Sequence, residues 1–265
     1  MSGRFSRMRF LLPAVIAGLL CLAVGRAEAR LGVVLLHGKM GGPRVFQGLA
    51  EVLEQQGILV AAPEMPWSRS RYLDKPFEAA LDEIAGAVDS LKQKGASQVV
   101  VGGHSMGAVG ALAYVATRGG VAGLILLAPG HVTDLPAFNR DLGNSLATAQ
   151  EMVKTGRGAE TREFLDKNVG RGVYTFSTQP RIYVSYFSPD GLAAAGRNAA
   201  HLSPKIPVLV VLGGRDPLSS QDKDHIFSRL PANPLTRLVT VSGGHMDVPW
   251  ESREEMLGWL KSLPQ

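Results

Sequence analysis

Short, largely apolar runs alternate with longer amphipathic stretches along most of this chain. Apolar runs without regular polar alternation are typical of strands buried on both faces of a sheet, and they predict strands at residues 31–36, 58–61, 98–101, 121–127, 206–212 and 235–241. Apolar residues at helical spacing, proline near helix starts and glycine after helix ends predict helices at 43–57, 74–94, 108–118, 219–230 and 252–263. This alternation is typical of an α/β fold, so we expect a mostly parallel sheet flanked by helices.

The alternation stops at residues 130–204. This segment contains two Gly-Arg-Gly sequences and a polar stretch, and it is too long for a plain loop. We expect it to form a helical cap inserted into the sheet domain, with its main helix at 136–154. With the cap included, residues 30–265 have a size that suits one α/β domain.

The first 29 residues have the composition of a targeting segment. Three arginines among the first nine residues precede an apolar core at 10–24, and Ala27-Glu28-Ala29 has the small-x-small form of a cleavage site. This arrangement predicts a secretory signal peptide cut after Ala29, and therefore a secreted or periplasmic protein without a stable membrane anchor after cleavage. The alternative is an uncleaved anchor, although the apolar core is shorter than the ~20 residues that span a bilayer.

Removal of this segment changes what charge and cysteine content imply. The segment carries four arginines and one glutamate, so its loss lowers the formal net charge from +5 to +2. The basic character is therefore mostly that of the leader, and we expect no nucleic-acid partner. Cys21 is the single cysteine and lies in the same segment, so the mature chain would have neither a disulfide nor a thiol nucleophile.

The sequence Gly103-His104-Ser105-Met106-Gly107 lies between a predicted strand and a predicted helix. G-x-S-x-G in this context is the pattern of a nucleophile elbow, a tight turn that exposes the serine hydroxyl. Glycines two residues to either side relieve crowding, and the helix N-terminus favours negative charge beside the serine. The alternative is a plain glycine-rich connection. The sequence does not fit a nucleotide-binding loop. Ala108-Val109 stand where a P-loop requires Lys and Ser/Thr, and Ser105 stands where a dinucleotide-binding motif requires its second glycine.

Two further side chains complete a candidate catalytic set. Asp216 directly follows the predicted strand at 206–212, and His245 follows the predicted strand at 235–241. Because the carboxyl ends of parallel strands carry the working residues of open α/β sheets, we expect both side chains near Ser105. A serine needs such a base, and the base needs an orienting group. The alternatives are a surface histidine at 245, a helix-capping Asp216 and a competing carboxylate at Asp247.

From residue 31 onwards the chain resembles the α/β-hydrolase superfamily, in which nucleophile, acid and histidine follow this chain order. The resemblance implies that Ser105 is the nucleophile, His245 the general base and acid, and Asp216 the orienting carboxylate. It implies an oxyanion hole made by the backbone N–H groups of Met106 and of Lys39 or a close neighbour. It also places the predicted cap after the strand that follows the elbow helix.

The resemblance also points to residues that would border the substrate. His37 and Gly38 form the His-Gly dipeptide with which the oxyanion loop begins, and His104 lies within the elbow. We expect these three residues at the substrate site, with a loop-bracing role as the alternative for His37. The Lys39 side chain would favour acidic substrates or would point to solvent.

These observations predict an exported serine hydrolase that cleaves ester or thioester bonds of a small-molecule substrate through an acyl-enzyme. The alternatives are a non-catalytic binding module on the same fold, and an acyltransferase or peptidase that uses the same three residues. His131, His201 and His225 have no metal-ligand spacing, and no H-E-x-x-H sequence occurs. We therefore expect neither a metal nor a cofactor, and the sequence carries no signal for an oligomeric state.

Overall fold

The computed structural model describes residues 30–264. The predicted leader and its cleavage site lie outside the described residues. Within residues 30–264, no helix is long and apolar enough to cross a membrane.

Within residues 30–264, eight strands form a six-stranded sheet and a separate two-stranded hairpin. The strands are β1 (Arg30–Leu36), β2 (Leu59–Ala61), β3 (Ala96–Ser105), β4 (Gly123–Pro129), β5 (Arg162–Asn168), β6 (Gly172–Thr178), β7 (Val208–Gly213) and β8 (Arg237–Val241). The large sheet has the order β2-β1-β3-β4-β7-β8, and all of its neighbouring strands are parallel. The predicted parallel sheet is confirmed.

Ten helices connect or cover these strands within the described residues. They are α1 (Gln47–Glu54), α2 (Phe77–Gln93), α3 (Met106–Arg118), α4 (Pro136–Arg140), α5 (Ser145–Lys154), α6 (Pro180–Phe187), α7 (Ala195–His201), α8 (Ser219–His225), α9 (Val248–Glu251) and α10 (Arg253–Lys261). Short 3-10 turns at Pro43–Phe46 and Phe227–Arg229 complete the set. The helices predicted at 43–57 and 219–230 therefore each consist of a 3-10 turn and a shorter α-helix.

The sheet is buried on both faces because successive side chains of its strands enter two different cores. In β1, Val34 and Leu36 pack with helices α2 and α3, whereas Val33 and Leu35 pack with α1 and α10. All four side chains are fully buried. An unbroken apolar run is the sequence that such a strand requires, which explains why the run predicted the strand correctly.

The segment between β4 and β7 forms a cap that differs in detail from the sequence expectation. The single helix expected at 136–154 is two helices, α4 and α5, and Gly143 lies between them with φ at +54°. The cap also contains the antiparallel hairpin β5–β6. Its connection uses Gly170 and Gly172, both with φ near +75° (78° and 74°), a backbone region that favours glycine.

Candidate active site

Ser105 lies at a sharp turn between β3 and α3. Its backbone has φ 55° and ψ −120°, a conformation that a residue other than glycine rarely adopts. A Cβ atom at Gly103 would lie 2.4 Å from the backbone of Gly107, and one at Gly107 would lie 1.9 Å from the carbonyl oxygen of Leu36. Glycine is therefore required at both flanking positions, as the elbow motif predicts.

The structure brings the three candidate catalytic side chains into one hydrogen-bonded line. The Nε2 atom of His245 lies 2.9 Å from the Ser105 Oγ atom, and its Nδ1 atom lies 2.7 Å from Asp216 Oδ2. All three residues are buried. With the Nδ1 proton donated to the carboxylate, Nε2 is free to accept the serine proton, which is the arrangement that a general base needs.

Asp216 is held as a carboxylate by its hydrogen bonds. Burial acts to raise the pKa of Asp216, but the hydrogen bonds from His245 and from the Leu218 N–H outweigh burial, so this pKa lies below its ordinary value. The Leu218 N–H donates to Asp216 Oδ1 at 2.9 Å. The carboxylate is therefore ionised at neutral pH and can stabilise a protonated imidazole.

Asp247, the competing carboxylate, lies elsewhere. Its side chain is 58% exposed and accepts a hydrogen bond from the Gly244 N–H at 2.8 Å. The imidazole of His245 directs its Nδ1 atom to Asp216 instead. Of the two carboxylates, Asp216 is the one hydrogen-bonded to the His245 ring.

In the loop after β1, the backbone N–H groups of Gly38 and Lys39 have no acceptor among the described residues, and Lys39 lines the same cavities as Ser105. The Met40 N–H donates to the Trp67 carbonyl at 2.8 Å and the Gly41 N–H to the Gly38 carbonyl at 3.0 Å. The second candidate donor, the Met106 N–H, lies in the first turn of α3, where backbone donors have no partner within the helix.

The residues expected at the substrate site have different positions. Two cavities meet at Ser105, and Gly38 and His104 line the smaller one. His37 lines neither cavity. Its Nε2 atom accepts a hydrogen bond from the Met65 N–H at 3.0 Å. These contacts favour the loop-bracing alternative for His37, because its buried ring holds the loop that follows β2.

The His104 side chain supports the backbone of His245. Its Nε2 atom lies 2.9 Å from the carbonyl oxygen of His245, and the two rings pack with centroids 4.9 Å apart. Burial, followed by the neighbouring His245, lowers the pKa of His104 to about 3. The ring is therefore neutral at physiological pH and donates its Nε2 proton to the carbonyl.

The two cavities differ in size and in lining. The larger has a volume of about 370 Å³, and its walls are mostly apolar, with contributions from Met106, Val132, Phe138, Val169 and Leu218. The smaller has a volume of about 230 Å³ and lies on the side of His245 and Met246. No aspartate or glutamate lines either cavity among the described residues. The cavities are therefore unsuited to a cationic ligand, and the lining of the larger one includes Lys39 and Lys167 beside its apolar side chains.

The Lys39 side chain neither points to solvent nor meets the cavities as a free charge. It is 6% exposed and donates to Asp166 Oδ1 at 2.5 Å. The expectation of either a solvent-facing or a substrate-pairing ammonium is wrong, because the cap supplies a buried carboxylate. Sequence reasoning did not identify Asp166, which lies in the polar stretch of the cap and belongs to no motif.

No candidate metal centre is formed by the part of the chain that the structure describes. Groups of three or more histidine, cysteine, aspartate and glutamate side chains close enough to hold an ion do not occur there.

A serine at a strand-to-helix elbow, with histidine and aspartate after neighbouring strands of a parallel sheet, defines the α/β-hydrolase class. Sequence comparison gives the family. The profile described as serine aminopeptidase S33 matches residues 27–246, and the chain belongs to this family of α/β hydrolases. No curated protein matches the chain.

Solved structures share this fold at low sequence identity. A thermostable carboxyl esterase from Bacillus coagulans has 16% identity and a TM-score of 0.62, with 89% of this chain and 91% of that chain covered. A monoacylglycerol lipase from Paleococcus ferrophilus has 18% identity and a TM-score of 0.59, with 87% and 94% covered. Est1E from Butyrivibrio proteoclasticus with bound ferulic acid has 20% identity and a TM-score of 0.57, with 89% and 92% covered. At these identities the likeness establishes the fold.

Proposed function

We propose that this protein is a serine hydrolase that cleaves carboxylic ester or thioester bonds through an acyl-enzyme on Ser105. The observation that carries the proposal is the hydrogen-bonded line from Ser105 through His245 to Asp216. A binding protein does not require these hydrogen bonds, whereas acyl transfer requires a base within hydrogen-bond reach of the nucleophile.

In the first half of the reaction, Ser105 Oγ attacks the carbonyl carbon of the ester and its proton passes to His245 Nε2. The carbonyl oxygen becomes an oxyanion, which accepts hydrogen bonds from the Met106 and Lys39 N–H groups. Each such donor typically contributes ~3 kcal/mol of transition-state stabilisation. The intermediate then collapses, the bond to the alcohol breaks, and His245 gives its proton to the leaving oxygen.

In the second half, water attacks the acyl-enzyme. His245 takes a proton from the water, the hydroxide adds to the carbonyl carbon, and collapse returns the proton to Ser105 Oγ and releases the carboxylic acid. Asp216 remains ionised throughout and stabilises the imidazolium that forms twice in the cycle. The smaller cavity, on the His245 side, suits the leaving group, and the larger apolar cavity suits the acyl group.

The lining of the cavities favours an ester over the N-terminus of a peptide. An aminopeptidase substrate carries an ammonium group close to the scissile bond, and a buried ammonium without a carboxylate partner is destabilised by several kcal/mol. No aspartate or glutamate of the described residues lines either cavity. The carboxyl esterase and the monoacylglycerol lipase that share this fold are in keeping with the same substrate class.

The test is active-site labelling combined with turnover. A fluorophosphonate probe should label the mature protein at Ser105, and p-nitrophenyl esters should be hydrolysed. Ser105→Ala should abolish both, whereas Ser242→Ala, at an exposed serine near His245, should change neither. Labelling at another residue, or turnover that survives Ser105→Ala, contradicts the mechanism. Wild-type protein that is neither labelled nor active would favour the binding-module alternative.

We also propose that the chain is exported, on the basis of its first 29 residues. When the full-length sequence is expressed in a bacterial host with a general secretory pathway, the periplasmic fraction should contain protein that begins at Arg30. N-terminal sequencing checks this result. Unprocessed protein in the membrane fraction would instead support the anchor alternative, and unprocessed protein in the cytoplasm would contradict export.

A further inference from the structure

The ammonium group of Lys39 is fully occupied inside the protein. It donates to Asp166 Oδ1 at 2.5 Å and to the Lys167 carbonyl at 2.9 Å, and it lies 3.3 Å from His131 Nδ1. The His131 Nε2 atom faces the Tyr186 carbonyl at 2.9 Å, so Nε2 carries the ring proton and Nδ1 accepts. An ammonium has three N–H groups, and each of these has an acceptor here.

Asp166 is satisfied in the same way. Its Oδ1 atom accepts from Lys39 and from the Lys167 N–H at 2.6 Å, and its Oδ2 atom accepts from the Tyr174 hydroxyl at 2.7 Å. Burial acts to raise the pKa of Asp166, but the Lys39 ammonium and these hydrogen bonds outweigh burial and hold the pKa below its ordinary value. The side chains of Lys39 and Asp166 are only 6% and 3% exposed. The pair is therefore a buried, hydrogen-bonded ion pair.

The ion pair joins two distant parts of the chain at the reaction site. Lys39 belongs to the oxyanion loop, and its own backbone N–H is the candidate oxyanion donor. Asp166 lies 127 residues further on, in strand β5 of the cap hairpin. His131, the third partner, follows Gly130, where a Cβ atom would lie 2.9 Å from Ser105 Oγ. Through Gly130, the residue next to His131, the cluster is connected to the backbone that borders the serine.

Fixing a side chain at its tip restricts the backbone from which it extends. Three hydrogen bonds hold the Lys39 Nζ atom, so the loop has little freedom to change the direction of the Lys39 N–H. The two loop amides that follow are engaged elsewhere, Met40 with the Trp67 carbonyl and Gly41 with the Gly38 carbonyl. Oxyanion donors must be held close to the productive geometry by supporting contacts if they are to act in the transition state.

We propose, on the basis of the proposed function, that the buried Lys39–Asp166 ion pair positions the oxyanion hole, so that the cap hairpin is part of the catalytic apparatus as well as a wall of the substrate cavity. Asp166 is then a positioning residue, acting through Lys39. The competing explanation is a purely structural pair that stabilises the cap against the sheet domain.

The first variant is Asp166→Asn, which keeps the shape of the side chain and removes its charge. We expect kcat for a p-nitrophenyl ester to fall about 10- to 100-fold, because a displaced N–H no longer donates to the oxyanion in the transition state. KM should change less than about threefold, since this hydrogen bond contributes little to binding of the ground state. The matched control is Asp141→Asn, which removes the exposed ion pair between Asp141 and Lys167 next to the same hairpin and should leave kcat unchanged.

Because Asp166→Asn leaves a buried ammonium without its partner, a second variant separates positioning from stability. Lys39→Met combined with Asp166→Leu removes both charges, and apolar replacement of a buried pair often preserves or raises stability. The double variant removes partners of His131, Tyr174 and the Lys167 backbone, so we expect it to melt below the wild type but to remain folded at the assay temperature. Its kcat should be at least 10-fold lower than that of the wild type. Its affinity for a trifluoromethyl ketone, which forms an oxyanion on Ser105, should fall by a similar factor.

The double variant decides the result even if Asp166→Asn does not fold. A kcat within twofold of the wild type would overturn the proposal and leave the pair a structural one. A rise in KM with unchanged kcat would also overturn it, because the pair would then act on substrate binding. Failure of the proposed function is distinguishable, since in that case the wild-type protein itself would show neither fluorophosphonate labelling at Ser105 nor ester turnover.

Discussion

The hydroxyl of Ser105 projects from the end of the sheet because the backbone of this residue is held at φ 55°. A non-glycine residue in so sparsely populated a region costs about 1–3 kcal/mol, and the surrounding structure must enforce it. Here β3 pairs with β4 up to Ser105 itself, and α3 starts at the next residue. The turn is therefore fixed from both sides and presents the nucleophile to the cavities.

Replacing Gly107 by alanine should disrupt this turn. The new Cβ atom would lie 1.9 Å from the Leu36 carbonyl oxygen, and neither backbone can move without displacing the sheet. We expect a loss of stability above about 3 kcal/mol, or failure to fold, measured by urea unfolding. The control is Gly86→Ala on the exposed face of α2, where the Cβ atom meets nothing within 4 Å and alanine should stabilise the helix by ~0.8 kcal/mol. Equal effects of the two variants would contradict the crowding explanation.

Substitutions at Asp216 and at Asp247 test which of the two carboxylates orients His245. Asp216→Asn should lower kcat by ~10³ to 10⁴, since the imidazole loses both its correct tautomer and its charge partner. Asp247→Asn should change kcat less than about threefold, because its carboxylate is exposed and lies away from the ring. Steady-state kinetics with one p-nitrophenyl ester compares the two. A larger loss in Asp247→Asn would reassign the role.

At the level of single residues, the sequence identifies those side chains whose position depends on local geometry. Ser105 is marked by its glycines, and Asp216 and His245 by the strand ends that they follow. Asp166 has no such marker, because its significance arises from Lys39, 127 residues away. A contact of that range has no sequence signature in a single chain, so the buried ion pair could not have been predicted.

Among the elements, the parallel strands were predictable and the cap hairpin was not. Strands such as β4 and β7 are buried along their whole length, and burial on both faces requires unbroken apolar sequence. Strand β5 places Phe164 and then Asp166 on its buried face, so a buried polar residue conceals the apolar alternation. The cap was therefore expected to be helical, although it contains both helices and a hairpin.

Helix α8, which follows Asp216, carries a buried acid with a consequence for stability. Burial, with a smaller contribution from the Asp216 charge, raises the pKa of Asp222 to about 9. The unfolded carboxyl ionises near pH 3.9, so between about pH 5 and pH 8 the folded protein holds one more proton than the unfolded chain. Raising the pH therefore destabilises the folded state.

Asp222→Asn should remove this pH dependence. Relative to the wild type, we expect its free energy of unfolding to increase by about 1.4 kcal/mol per pH unit between about pH 5 and pH 8. Urea unfolding of both proteins at several pH values measures the difference. Asp224→Asn, at an exposed position of the same helix, should show the same pH dependence of the free energy of unfolding as the wild type. If the free energy of unfolding of Asp222→Asn also has the same pH dependence as that of the wild type, Asp222 is ionised in the folded protein.

For the molecule as a whole, the cap and the sheet domain together enclose the site. The cap contributes Phe138 and Val169, and the sheet domain contributes Ser105 and Leu218, to a cavity of about 370 Å³. An apolar cavity of limited volume suits acyl chains of medium length better than the longest ones. The identity of the acyl group follows from how the cap packs, which depends on the hairpin that the sequence pattern conceals.

A series of p-nitrophenyl esters from acetyl to palmitoyl tests this size limit. We expect kcat/KM to rise to an optimum near octanoyl, as apolar surface is buried, and to fall for palmitoyl, because the longest chain exceeds the cavity. A continuous rise to palmitoyl would mean that the cavity opens into a groove. A continuous decline from acetyl would mean that the acyl group binds elsewhere.

The most direct test of an acyl-enzyme on Ser105 is to trap this intermediate and to count it against the number of active sites. A p-nitrophenyl carbamate transfers a carbamoyl group whose bond to serine is cleaved slowly by water, so release of p-nitrophenolate can be counted against enzyme. A nucleophilic Ser105 should release about one p-nitrophenolate per active site. The mass of the intact protein should increase by one carbamoyl group, and the adduct should lie on the peptide that contains Ser105. An adduct on any other residue, or unchanged release by Ser105→Ala, would contradict this role of Ser105.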